Sequence, residues 1–580
     1  PRKAVPGLAQ ISSCSATTVA GLRLDGMTQP KTDVEIAQAH TLEPITEIAA
    51  KASIPEDALI PYGHSMAKVD LHKIEGAPSG KLVLVTGVSP TPAGEGKSTV
   101  LIGLTDALAQ RGHNVAVALR EPSLGPVMGI KGGAAGGGYS QVVPMENINL
   151  HFTGDFHAIT SANNTLAAMI DNHIQQGNDL RIDERRITWQ RCLDVNDRSL
   201  RKVVTGLGGP GNGLPAETGF TITAASEIMA ILGLATDLED LKERLARITV
   251  GFTYDLKPVT AGELKAEGAL TALLKDAMNP NLVQTLGGTP AFIHGGPFAN
   301  IAHGCNTLVA TQTARACADI VLTEAGFGSD LGAEKFFDIK ARYGELDVAG
   351  AVVVATIRSL KYNGGVARQD LEQENLEALR AGVVNLERHV ENIRKFGVTP
   401  VVALNRFTSD TEAEMEAMRA WAADFGVALA DADVWAKGGE GALELADVLL
   451  DNLTEGTSTQ LYDPADGIEN SIETIAKEIY RADSVQYSVN AQRDLKTLKQ
   501  NGWDTLPVCI SKTQYSFSDD PAQLGAPTGH TLHVRKLIPR TGAGFIVALT
   551  GDVMTMPGLP KVPAANNIDV DANGKVSGLF

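Results

Sequence analysis

The chain has 580 residues, 43% of them apolar and 20% charged, with a formal net charge of −18, an acidic balance that excludes a nucleic-acid partner because phosphate backbones are held by many Lys and Arg. It contains no run of eighteen apolar residues and opens without a charged start and long apolar stretch, so neither a membrane span nor a secretory signal is expected, and the chain is read as cytoplasmic. Its five cysteines (Cys14, Cys192, Cys305, Cys317 and Cys509) are widely spaced and form no CxxC, which fits a reducing compartment without a disulfide framework or zinc site.

Residues 1–31 are rich in Ser, Thr and Ala and poorly periodic, and they read as a poorly structured N-terminal extension. From there, apolar runs of strand length alternate with helical periodicity, the mark of parallel βαβ units. Lys81 to Gly87 predicts a buried strand, Thr99 to Arg111 an amphipathic helix and Asn114 to Arg120 the next strand. Further strands are expected at Ile320 to Thr323, Ala351 to Ile357 and Thr399 to Leu404, with a long helix from Asn375 to Lys395. Leu506 to Ile510 and Phe545 to Thr550 predict short strands in a Gly- and Pro-rich segment. The fold class is α/β, a P-loop NTPase-like core with a mostly parallel sheet and additional α/β domains. A chain of this length is expected to hold about two to four domains, with breaks near residues 340 and 465 and no internal repeat.

The first chemical motif is Thr91-Pro92-Ala93-Gly94-Glu95-Gly96-Lys97-Ser98, between the first strand and the first helix. There, backbone N–H groups around the glycines and the helix N-terminus face an anion, Lys97 adds a charge and Ser98 can hold magnesium. Thr91 stands where the first glycine of GxxxxGK[ST] is expected. A Gly-rich turn that binds nothing would not need the strand, Gly-Lys-Ser and helix in this order. The following strand ends in Arg120 and Glu121. By itself such a pair reads as a surface ion pair, but strand ends beside a phosphate loop face the ligand in a parallel sheet.

Lys131 to Gly138 holds five glycines in its last seven residues, which suits either close approach to a ligand or a flexible connector. His151, Asp155 and His157 match no common metal spacing. Phe327, Phe407 and Trp435 stand in Gly-adjacent or strand-end loops, where they suit either packing or the stacking of a flat heterocycle.

These strings together resemble the formate–tetrahydrofolate ligase family. The resemblance rests on Thr91 to Lys97, Leu119 to Pro126, Ile130 to Gly138, His151 to His157, His294 to His303 and Asp552 to Pro560, and it runs from about Thr32 to Phe580. It implies that ATP phosphorylates formate to formyl phosphate and that the amine of tetrahydrofolate then takes the formyl group. By resemblance, Lys97 and the loop hold the ATP phosphates with magnesium at Ser98, and Arg120 stabilises the transferred groups. Glu121 and Asp155 lie near the folate and the phosphate intermediate, while Phe407 and Trp435 sandwich the pterin with Phe327 nearby. Residues 32–340 would form the P-loop and formyl phosphate domain, 341–465 a second α/β domain contributing the folate site, and 466–580 a C-terminal α/β domain. Relatives often carry Thr where Ser98 stands, which keeps the hydroxyl. The family also implies activation by ammonium or potassium and a homotetramer; with only a short extension before Thr32, a monofunctional, bacterial-type ligase is expected. A regulatory P-loop ATPase of the partition or maturation-factor class, or a nucleotide-binding scaffold without turnover, would share the loop but not a dependence on formate.

Overall fold

In Lys81–Gly87, alternate side chains point to opposite faces of the strand, and both faces are apolar. Leu82 and Leu84 enter one buried core, Val83 and Val85 another. A strand covered on both sides needs a continuous apolar run, which is why KLVLVTG shows no polar alternation. The computed structural model describes residues 31–579 apart from 92–93, 130–134, 457 and 552. Nearly all of the expected N-terminal extension therefore lies outside the described residues, as do Pro92, Ala93 and residues 130–134 of the Gly-rich string.

The largest sheet has twelve strands. Its labelled members are β1 (Leu59–Pro61), β2 (Ala67–Val69), β3 (Lys81–Gly87), β4 (Val115–Leu119), β5 (Ser140–Val143), β6 (Asn281–Thr285), β7 (Pro290–Ile293), β8 (Ile320–Gly328), β9 (Val348–Ala355), β10 (Pro400–Asn405) and β11 (Ala428–Ala432). The order across it is β1-β2-β6-β7-β4-β8-β3-β9-β10-β11, with β5 pairing beside β6. From β7 to β11 in that order every pairing is parallel, whereas β1, β2, β5 and β6 pair antiparallel. The expected mostly parallel α/β sheet is thus present.

Four helices matter for the site: α1 (Lys97–Gln110), α2 (Asp155–Gln175), α3 (Ile357–Asn363) and α4 (Leu376–Lys395). α1 buries Leu101, Leu104 and Leu108 on one face of the sheet, and α4 buries Leu386, Val390 and Ile393 on the other. α2 supplies Ile159, Leu166 and Ile170 to a third core that also takes Phe545 and Val547. The strands Val508–Ser511 and Phe545–Leu549 pair in parallel and alternate between cores, with Ile510 and Ile546 on one side and Cys509 and Val547 on the other. Around residue 340, β8 and β9 both pair with β3.

Candidate active site

The loop between β3 and α1 turns through two residues with positive φ, Gly94 at 78° and Gly96 at 67°. Glycine is required at 96 on two counts. That φ is costly for a side chain, and a Cβ there would run into the Asn405 amide. The Asn405 Nδ2 instead donates to Glu95 O at 3.0 Å, tying the loop to the end of β10. Glu95 turns inward. Its Oε1 accepts from Thr91 N and Thr91 Oγ1, both at 2.8 Å, and its Oε2 from Thr356 Oγ1 at 2.9 Å. Burial raises the Glu95 carboxyl against these hydrogen bonds. The one acidic residue of the loop is thereby kept in the interior, and Thr91 supplies a hydroxyl that glycine at that position lacks.

Gly96 leaves the N-terminus of α1 without a side-chain cap, so its first N–H groups suit an anion. Lys97 Nζ donates to Ala325 O on β8. Two residues of the same region converge on Glu324, a fully buried acid on β8: Ser98 Oγ donates to Oε2 at 3.2 Å and Arg120 Nε to Oε1 at 3.1 Å. Burial pushes the Glu324 carboxyl up, but the charges of Arg120 and Lys97, together with the hydrogen bonds from Arg120 and Ser98, leave the group below its ordinary value. Glu324 follows directly on the strand expected at Ile320 to Thr323 and is not among the site residues that the sequence motifs pick out. The available signal was an acid inside an otherwise apolar strand, which in a buried sheet must find partners.

Glu121, next to Arg120, is 5% exposed, and its Oε2 has no hydrogen-bond partner. Burial, then the nearby charge of Asp155, pushes its carboxyl well above the ordinary value. Asp155 opens α2 and forms a buried ion pair with Lys68 at 2.8 Å. His294 stands 4.0 Å from Asp155, and burial holds its ring at about 4, neutral near pH 7. His151 and His157 are exposed. Among the described residues no group of three or more His, Cys, Asp or Glu is arranged for a metal ion.

Of the aromatics, Phe327 lies near the end of β8 with φ at 61°. Phe407 follows β10, with Arg358 of α3 over its ring at 3.5 Å from the centroid. Trp435 lies in the short helix Val434–Lys437 after β11 and is 47% exposed. Asn405 and Ala432 are register partners, so the loops carrying Phe407 and Trp435 leave the sheet side by side. Gly138 has a positive φ, and any side chain there would meet the Trp435 indole. The loop after β3, Arg120, Glu121, Phe327, Phe407 and Trp435 all lie at or beyond C-terminal ends of parallel strands, where open α/β sheets bind ligands. Asp155 joins them from the antiparallel side of the sheet.

A family model described as formate–tetrahydrofolate ligase matches residues 31–580. The chain is 72% identical to a formate–tetrahydrofolate ligase of Corynebacterium diphtheriae, across 95% of this chain and 100% of that one. It is 68% identical to one from Corynebacterium jeikeium, covering 94% of this chain and 98% of the relative. Against one from Staphylococcus aureus the identity is 61%, covering 94% and 99%.

Proposed function

The chain belongs to the formate–tetrahydrofolate ligase family, and on that premise we propose that it joins formate to tetrahydrofolate with ATP at the C-terminal edge of the large parallel sheet. The observation that carries this reading is the convergence of Ser98 and Arg120 on Glu324 beneath the loop that Lys97 completes. Formate is an unreactive acyl donor, since its carboxylate repels a nucleophile and has no good leaving group. Transfer of the γ-phosphoryl group from ATP to a formate oxygen gives formyl phosphate and ADP. Attack of the folate amine on the formyl carbon then releases phosphate and leaves 10-formyltetrahydrofolate.

The chain's own groups suit these steps. The N–H groups opening α1 and the Lys97 ammonium offset phosphate charge, which suits a transfer governed by positioning and electrostatics. Arg120, fixed through Nε by Glu324, keeps its outer N–H groups for an acyl phosphate. Magnesium, when bound with ATP, would neutralise phosphate oxygens. The oxygen pair of Ser98 and Glu324 fits such a hard cation, which takes few protein ligands and keeps several waters. Phe327, Phe407 and Trp435 offer faces for the pterin.

Residues 32–340 carry the nucleotide and formyl phosphate chemistry in this reading, 341–465 contribute Phe407 and Trp435 to the folate site, and 466–580 make a C-terminal unit. The family resemblance supports a cytoplasmic homotetramer activated by ammonium or potassium. No helix among the described residues is long and apolar enough to cross a membrane. The test mixes the purified chain with magnesium, ATP, formate and tetrahydrofolate, omitting each in turn. Formylated folate is expected only in the complete mixture. ADP release independent of formate and folate would instead favour a regulatory ATPase.

A further inference from the structure

Arg358 is the second residue of α3, on the first turn after β9, and it belongs to none of the sequence motifs. Its guanidinium carbon stands 3.5 Å from the centroid of the Phe407 ring, which is direct stacking on one face. Its Nε is buried without a hydrogen-bond partner. Burial raises the carboxyl of nearby Asp410 and the Arg358 charge works against it, yet Asp410 Oδ1 is likewise buried and unpartnered. An arginine beside a vacant carboxylate oxygen ordinarily pairs with it. Here the guanidinium is turned to the ring instead.

Phe407 is held at its backbone as well. Asp410 Oδ2 accepts from Phe407 N at 2.8 Å, and Phe407 O accepts from Asp410 N at 3.0 Å, so the two residues close a turn. Both supports lead back to the loop after β3. Thr356, the N-cap of α3, donates to Glu95 Oε2 at 2.9 Å, and Asn405, just before the turn, donates to Glu95 O at 3.0 Å. The start of α3 thus touches the loop through Thr356 and the ring through Arg358. Strand order fixes the sides: β10 lies between β9 and β11, with Ala355 opposite Leu404 and Asn405 opposite Ala432. Arg358 therefore reaches Phe407 from the β9 side, while the loop carrying Trp435 leaves on the β11 side.

We propose that Arg358 is a positioning residue for the folate: it covers the β9-side face of Phe407, fixes the ring against the loop after β3, and leaves the face toward Trp435 for the pterin. This deepens the functional reading above and rests on it. A partly exposed phenylalanine at a strand end samples several rotamers, and a substrate that stacks on a turning ring must also order it, which weakens binding. The stacked guanidinium removes that freedom beforehand. Because the start of α3 also grips Glu95, the ring and the loop keep one spacing. Pterin and formyl-accepting amine belong to one molecule, so that spacing sets how the amine meets an acyl phosphate held at the loop. Arg358 acts in this through Phe407 and needs no contact of its own with the substrate.

The experiment is a double-mutant cycle on the KM for tetrahydrofolate in ATP- and formate-dependent formylation. Arg358→Met keeps the length of the side chain and removes the cation, and it is expected to raise that KM by about 5- to 30-fold while the thermal midpoint stays near the native one. Arg358→Lys returns a cation to the ring and should recover most of the loss. Phe407→Ala should raise the folate KM as well. Adding Arg358→Met to it is expected to change nothing further, because a residue that acts through the ring has no effect once the ring is gone. A folate KM in Arg358→Met within about twofold of the native value overturns the proposal, and so does an Arg358→Met chain that fails to fold, since the residue would then be structural. Additive effects in the double variant overturn it too, by making Arg358 a direct contact of the substrate, as does an Arg358→Lys variant as impaired as Arg358→Met. Phe407→Ala separates the two levels. An unchanged folate KM there refutes the place of Phe407 in the folate site, whereas a raised KM there with Arg358→Met unchanged refutes the role of Arg358 alone.

Discussion

Lys97 and Ser98 stood out from local order, because strand, turn and helix form a short-range pattern, and Arg120 because it ends the strand that follows. Glu324 did not, because its meaning depends on Ser98, 226 residues away in the chain, and on Arg120, 204 away. Lys68 was still less legible, since a lone lysine in a short strand reads as surface until its buried partner Asp155 is known. Lys97→Ala should lower formate-dependent ADP release by at least about 100-fold, the scale on which removing one donor to developing phosphate charge acts. Steady-state turnover checks this, and unchanged turnover removes Lys97 from the phosphates. Trp435 is 47% exposed, so Trp435→Ala should leave the thermal midpoint nearly unchanged. Loss of one stacking face, about 1–3 kcal/mol, should raise the folate KM by roughly 5- to 150-fold with the ATP KM kept. An unchanged folate KM would take Trp435 out of the site.

At the scale of elements, β3, β4, β8, β9 and β10 announced themselves as apolar runs, and α4 by its periodicity. β6 was missed because Asn281 and Gln284 interrupt the apolar pattern, the Asn281 amide being satisfied by Asp155 and the Gln284 amide by the backbone of Glu43, and β7 because its four residues are too short to stand out as a run. α2 was missed because its first turns carry Thr, Ser and Asn, three of which bond neighbouring loops. α1 is pinned to the antiparallel edge through Asp106, whose Oδ1 accepts from Thr285 Oγ1 at 2.5 Å and Thr289 Oγ1 at 2.7 Å. Burial lifts this carboxyl from 3.8 to about 6. A carboxyl with a raised folded-state pKa binds its proton more tightly in the fold than in the unfolded chain. Its contribution is fully present below about 4 and is lost as pH rises through about 6. Asp106→Asn keeps an acceptor and removes the titration. The stability of the native chain relative to this variant should therefore fall by about 1–3 kcal/mol between pH 4 and 7, as measured by urea unfolding at each pH. A difference independent of pH would show that Asp106 does not titrate in this window.

For the whole molecule, the three cores share elements distant in sequence, and the C-terminal strands place side chains in two of them. Cys192, Cys305, Cys317 and Cys509 are free and buried, and burial lifts their thiols to about 12, 11, 11 and 11. These four should resist a thiol reagent in the native protein and react together on unfolding, as a time course with and without denaturant would record. Rapid native reaction of any of them would contradict its burial. Composition, the periodicity of the apolar runs and the loop strings by themselves determined the α/β class, the strand–loop–helix order around residues 91–98 and the family resemblance, because each is encoded within a few consecutive residues. Only the tertiary structure decided that Glu95 faces inward, that Glu324 joins Ser98 to Arg120, and that Arg358 lies over the Phe407 ring. Those relations arise from strand order and ladder register, which bring together side chains that no local pattern connects.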